Sequence, residues 1–176
     1  HAATALSQMT NRRIMITGPK ISVTRLEDVA ELLGDPSEVV AAILLHMLGD
    51  LTGRTLLVFP EHAAKRLCDL LLGRPFGTTE QFGALEQSSL KEAGNILCGA
   101  YMNALSAFMG MMLLPSVPSL VIDSSAAVLT SAYLNFGNDR DFVFCVETQF
   151  MVAVEDDTLR GYFLLIPDFA SLRAIL

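Results

Sequence analysis

The sequence repeats part of itself at an offset of 99 residues. Segment 5–21 aligns with segment 104–120 without a gap, and farther along GRTLLVFPE at 53–61 resembles GYFLLIPD at 161–168 at a slightly larger offset. Two such halves predict a pseudo-twofold domain with one shared core. The alternative is a chance match between small apolar residues. The matching pairs at the offset of 99 are Ala5–Ala104, Leu6–Leu105, Ser7–Ser106, Met9–Phe108, Ile14–Leu113, Thr17–Ser116, Pro19–Pro118 and Ile21–Leu120.

Composition favours one domain with a large apolar core. The chain has 176 residues, of which 52% are hydrophobic and 18% charged, and its mean hydropathy is +0.46. No run of 18 apolar residues predicts a membrane span, since polar residues and prolines interrupt the richest stretch, 96–122. We therefore expect no membrane insertion, and an exposed apolar patch that binds a protein partner.

Charge, cysteines and the first residues narrow the class further. The net charge of −7 argues against a nucleic-acid partner, which needs a clustered basic face. Cys68, Cys98 and Cys145 form no C-x-x-C pair, so buried thiols are expected. Residues 1–6 have neither a basic start nor a long apolar run, so we expect no signal peptide and a cytoplasmic location.

Mixed periodicities predict an α+β class. Helical patterns cover Glu61–Leu72 and Ala84–Met109, while Ser37–Met47 is ambiguous between helix and strand. The polar segments Asn138–Asp141 and Glu155–Asp157 are expected to be turns. Strand-like runs are Arg13–Thr17, Arg54–Phe59, Leu120–Asp123, Phe142–Val154 and Tyr162–Ile166. We expect a single α+β domain with an internal pseudo-twofold repeat, in which two long helices flank an antiparallel-rich sheet.

Familiar catalytic motifs are missing. The sequence contains no G-x-x-x-x-G-K-[ST], G-x-S-x-G, H-E-x-x-H or G-x-G-x-x-G motif. Its histidines, His1, His46 and His62, lack the spacing of metal ligands. A hydrolase with its own nucleophile or metal is therefore not expected.

One polar stripe on the longest helix remains as a candidate site. Ser88, Glu92 and Asn95 are spaced i, i+4 and i+7, which places them on one helical face. Gly99 and Met102 are expected to continue that stripe, while the opposite, apolar stripe faces the core. Two other interpretations stay open: Ser89-x-x-Glu92 also fits a capping box that starts a helix, and the stripe also fits an ordinary solvated face. The apolar stripe consists of Leu90, Ala93, Leu97, Tyr101, Leu105 and Phe108.

Together with Pro118, these residues resemble the signature D/S-x3-E-x2-N-x22-P of the CheC/CheX/FliY family of chemotaxis phosphatases. Ser88, Glu92, Asn95 and Pro118 occupy its four positions. Further stretches resemble the family over nearly the whole chain: AATALSQM at 2–9, RRIMITGPKI at 12–21, EAGNILCGAYMNALS at 92–106, PSLVID at 118–123, FVFCVET at 142–148 and GYFLLIPD at 161–168. The resemblance implies one CheC-like phosphatase domain over 1–176.

The resemblance also implies a first site that this sequence does not contain. CheC-like proteins usually carry another E-x2-N on a helix just before the sequence that resembles 2–9. Subtracting 99 from Glu92 and Asn95 gives positions ahead of His1. We therefore expect the first-repeat helix to be truncated in this sequence, and we assign one site.

By resemblance, the activity is hydrolysis of the aspartyl phosphate on the response regulator CheY. The regulator is expected to supply Mg²⁺, so no cofactor of the chain's own is expected. Asn95 would orient the attacking water, Glu92 would pair with a regulator lysine, Ser88 would support that face, and Pro118 would shape the neighbouring strand. The alternatives are a non-catalytic interaction module that binds the receptor deamidase CheD, or a flagellar-switch module like FliM or FliY.

Overall fold

A computed structural model describes residues 2–134, 142–152, 157–168 and 171 of the chain. One seven-stranded sheet lies between two layers of helices, and all its strand pairs are antiparallel. The α+β class and the antiparallel-rich sheet are therefore confirmed. In chain order the elements are α1 (Ala2–Thr10), β1 (Ile14–Arg25), α2 (Leu26–Leu33), β2 (Val39–Gly49), β3 (Gly53–Pro60), α3 (Glu61–Leu71), α4 (Ala84–Met109), β4 (Leu113–Pro115), β5 (Ser119–Ser124), α5 (Ser125–Leu134), β6 (Phe142–Val152) and β7 (Asp157–Pro167).

Alternating side chains of the central strands build two separate cores. On β2, Ala41 and Ile43 face the layer of α1, α3 and α4, whereas Val40 and Ala42 face α2 and α5. Because both faces are covered, the strand is apolar almost throughout. That is why its sequence fits a helix as well as a strand, and the structure resolves the ambiguity as a strand.

Strand pairing has the same pattern on both sides of the β3–β7 contact. The strand order in the sheet is β1-β6-β7-β3-β2. At one end β1 pairs with β6, and at the other end β4 and β5 both pair with β2 in the corresponding position. Ile14 opposes Val152 and Leu113 opposes Gly49, so the same offset of 99 relates the outer strands. The register shift between Thr17 and Lys20 in β1 likewise corresponds to the break between β4 and β5.

Element bounds mostly extend the expected ones. Helix α4 begins and ends where the periodicity predicts, and α3 ends one residue earlier than expected. Among the described residues α4 is the one long helix, with 26 residues, since α1 has nine and α3 eleven. The expected turn at 138–141 lies outside the described residues, and so does the turn at 155–157 except for Asp157, which begins β7.

A buried carboxylate organises the connection between α3 and α4. Asp69 is fully buried, and its two oxygens accept hydrogen bonds from the backbone N–H groups of Gly77, Thr78 and Thr79, at 2.8, 3.2 and 2.9 Å. The Thr79 hydroxyl donates a fourth, at 2.6 Å. This one side chain therefore holds the loop that leads into α4.

We expect Asp69→Ala to lower the free energy of unfolding by about 3 kcal/mol, because several buried backbone donors would lose their acceptor. Urea denaturation at neutral pH measures the change. The control is Asp50→Ala, which removes an exposed aspartate whose carboxylate accepts a hydrogen bond from the backbone N–H of Met112. Equal stability of the two variants would contradict the structural role of Asp69.

Candidate active site

Two contacts fix the rotation of α4 about its axis. Gly94 lies so close to β2 that an added Cβ would come within 2.6 Å of the Ile43 side chain. Two turns farther on, the Tyr101 ring stacks on Phe163 with centroids 4.6 Å apart, and its hydroxyl lies 2.6 Å from that of Thr148. The side chains that point away from the sheet are set by these contacts.

Three of the four expected site residues lie on this outer face. Ser88 and Glu92 are exposed, and Asn95 is partly buried. Pro118 is partly buried in a different element, the interruption between β4 and β5. A proline fits an interrupted edge strand, since it has no N–H to donate to the ladder. Pro118 therefore lies directly before β5, apart from the three residues on α4.

The interpretation of Ser89 and Glu92 as a capping box is wrong. Helix α4 begins at Ala84, with Gly83 as its N-cap, so Glu92 lies in the helix interior. The first-turn acid is Glu86, whose carboxylate accepts a 2.6 Å hydrogen bond from Arg74. This bond lowers the pKa of Glu86 below its ordinary value. The Ser89 hydroxyl donates to the Glu86 carbonyl at 2.9 Å.

Two other residues on α4 differ from expectation. Met102 is fully buried and does not continue the polar stripe. On a straight helix, two residues that are seven positions apart differ by about 20° in direction around the helix axis. This rotation turns position 102 toward the core. Phe108 is 89% exposed, so the apolar stripe faces the core only as far as the helix packs on the sheet.

Beside Asn95 lies an open groove of about 470 Å³ between α1 and α4. Asn103 also lines it, two turns beyond Asn95, and is not among the site residues expected from the sequence. The signal was available, because Asn95, Gly99 and Asn103 recur at intervals of four and so share one side of the helix. The lining residues are Ala5, Asn95, Ile96, Gly99, Ala100, Asn103, Ala104 and Ala107.

The side chains on the outer face of α4 supply hydrogen bonding and charge. Cys68, Cys98 and Cys145 are buried, and burial raises their thiol pKa values to about 12, 12 and 11, so none supplies a thiolate at neutral pH. Within the described residues, no group of three or more His, Cys, Asp or Glu side chains is arranged to hold a metal ion. What the face offers is a carboxylate, a carboxamide and open space.

Comparison with known proteins bears on this same helix. Residues 85–122 match the family model described as CheC-like, and that segment contains Ser88, Glu92, Asn95 and Pro118. The resemblance to CheC-like proteins is confirmed. This chain is 29% identical over 177 aligned residues to the CheY-P phosphatase CheC of Bacillus subtilis, and the alignment covers 99% of this chain and 85% of the relative.

Solved structures share the fold of this chain. FliY of Thermotoga maritima superposes with a TM-score of 0.76 at 21% identity, covering 99% of this chain and 85% of its own. A CheX–CheY–BeF3–Mg²⁺ complex from Borrelia burgdorferi gives a TM-score of 0.54 at 15% identity, covering 94% and 92%. Among the described helices, none is long and apolar enough to span a membrane.

We expect Glu92→Ala and Asn95→Ala each to shift the melting temperature by no more than about 1–2 °C, because an exposed and a partly buried side chain in a helix interior carry little of the folding free energy. Differential scanning calorimetry at neutral pH measures this. A clear loss of stability in either variant would mean that the substituted residue has a structural role.

The matched comparison is Glu86→Gln, which weakens the bond to Arg74 and should lower the melting temperature at neutral pH. Since the folded pKa of Glu86 lies below the unfolded value of about 4.3, its stabilisation is present above that value and is lost as the pH falls through the folded pKa. The difference between Glu86→Gln and the unmodified chain should therefore shrink in acid. A difference that stays constant between neutral pH and strong acid would contradict this assignment.

Proposed function

We propose that this chain is a CheY-P phosphatase, which hydrolyses the aspartyl phosphate of the response regulator CheY. The observation that carries the proposal is that Glu92, which is exposed, and Asn95 lie on the same outer face of α4, beside an open groove. The name of the Bacillus subtilis relative supports it. So does the confirmed resemblance, whose signature residues these are.

The proposed chemistry needs little from the chain beyond position. Water attacks phosphorus, the bond between phosphorus and the aspartyl oxygen breaks, and the products are inorganic phosphate and a free aspartate. Mg²⁺ bound to the regulator would neutralise charge on the phosphoryl oxygens. What the regulator lacks is an oriented water, and orientation accounts for a large share of such catalysis.

Asn95 suits the task of orienting that water. Its carboxamide oxygen accepts a hydrogen bond from water, and its amino group donates one to a neighbouring oxygen. A partly buried side chain on a packed helix also has fewer rotamers to lose when the regulator binds. The chain's own catalytic contribution is therefore one amide, held in line with the bond that breaks.

Glu92 is proposed to set the docking register. It lies three residues before Asn95 on the same face and is exposed, so it is accessible to a cation of the partner. A carboxylate that pairs with the lysine of the regulator forms a charge-assisted hydrogen bond. Ser88, exposed one turn earlier, extends that contact, and Pro118 acts only through the strand that it shapes.

We expect Asn95→Ala to reduce kcat for CheY-P by about 100-fold while the affinity for CheY changes less than threefold, because only the water loses its partner. Glu92→Ala should lower both affinity and kcat/KM, since its charged contact forms on docking and persists through the reaction. Release of inorganic phosphate, measured in single turnover and under saturation, separates kcat from binding. Full activity of Asn95→Ala would refute the proposed role.

A second partner is proposed from the exposed apolar residues. Leu48 on β2 lies opposite Leu114 on β4. The side chains of Leu48, Leu114 and Met112 are each about half exposed. A cross-strand pair of this kind is a small apolar patch open to a partner. By the family resemblance, we propose that CheD binds there, which would make the chain a regulatory binding protein as well as a phosphatase.

We expect Leu114→Glu to abolish capture of CheD in a pull-down while CheY-P hydrolysis stays within about twofold, since the patch lies on the face of the sheet opposite α4. The control is Val23→Glu, which changes an exposed apolar residue on β1 instead. Unchanged CheD capture by Leu114→Glu would exclude this patch. Flotation of the purified chain with liposomes would instead point to a lipid surface.

A further inference from the structure

The two glycines in the middle of α4 have opposite surroundings. At Gly94 an added Cβ would collide with Ile43, so packing against β2 explains why that position has no side chain. At Gly99 an added Cβ would meet nothing within 4 Å. Its backbone is helical and needs no positive φ, so neither space nor conformation within the described residues requires a glycine there.

This second glycine has a measurable cost to the fold. A glycine in a helix interior destabilises the helix relative to alanine, because its backbone loses more freedom on folding. Glycine at position 99 therefore lowers the stability of the helix, and no packing contact among the described residues compensates for this loss. Access for a partner is a requirement outside the folded chain that would explain a glycine at this position.

The location of Gly99 shows what that access leads to. It lines the groove between α1 and α4 and lies one turn beyond Asn95. Side chains on a helix tilt toward its N-terminus, so a residue at position 99 would cover the turn that carries Asn95. A side chain here would stand between Asn95 and anything that approaches along the groove.

We infer that Gly99 is the clearance position of this site: its missing side chain leaves room for the phosphate-bearing surface of the response regulator to reach Asn95. The inference rests on the proposed phosphatase function. It adds a residue that determines how closely a partner surface can approach Asn95. The same residue therefore determines which partner surfaces can bind. Gly99 itself makes no chemical contribution.

The test compares stability with activity in the full chain. Gly99→Ala should raise the melting temperature by about 2–4 °C, because alanine favours the helix. Gly99→Leu should be no less stable than the unmodified chain, yet its kcat/KM for CheY-P should fall on the order of 100-fold. Its affinity for CheY activated with beryllofluoride and Mg²⁺ should fall as well. Gly94→Ala is the matched control and should lower the melting temperature, because it collides with Ile43.

Each outcome bears on the inference. A second control, Ala126→Leu, places a leucine at an exposed position on α5 and should change neither readout. Full activity and affinity of Gly99→Leu would overturn the inference while leaving the phosphatase proposal standing. A large loss of stability in Gly99→Leu would also overturn it, since the space would then be filled by the protein's own packing.

If the unmodified chain binds activated CheY without hydrolysing its phosphate, the phosphatase proposal fails, and the affinity of Gly99→Leu still decides the inference. If it neither binds nor hydrolyses, both fail.

Discussion

The close approach of Gly94 to Ile43 is the contact on which the rest of the site depends. It brings the backbone of α4 directly onto β2, and any side chain at position 94 would force the helix away from the sheet. Once that contact and the stacking of Tyr101 on Phe163 fix the helix rotation, Leu90, Ala93 and Leu97 must face the core. The polar residues between them then have only the outer face available.

That arrangement is suited to the proposed hydrolysis, although the chain has few charged side chains. The sheet and both cores supply rigidity, while α4 presents one carboxylate and one carboxamide to an outside partner. Groups held on a packed helix keep their geometry better than groups on a loop.

Local sequence predicts the parts of this structure that obey one periodicity. Helix α4 follows its 3.6-residue pattern from Ala84 to the glycine after Met109, so both ends were predictable. Strand β2 was ambiguous because burial on both faces removes the alternation that marks a strand. Met102 was placed on the wrong side because the seven-residue spacing drifts around a straight helix. Asn103 was predictable from its spacing of eight residues from Asn95 on one side of the helix. The anchoring of the α3–α4 loop by Asp69 depends on tertiary contacts, which single-segment patterns do not contain.

The most direct test of the central claim is a crystal structure of this chain bound to CheY that carries beryllofluoride and Mg²⁺. The account predicts that the outer face of α4 meets the beryllofluoride and that Glu92 contacts a lysine of CheY. It also predicts one water within about 3 Å of the Asn95 carboxamide, in line with the bond between beryllium and the aspartyl oxygen. A complex in which CheY binds another face, with Asn95 left in solvent, would contradict it.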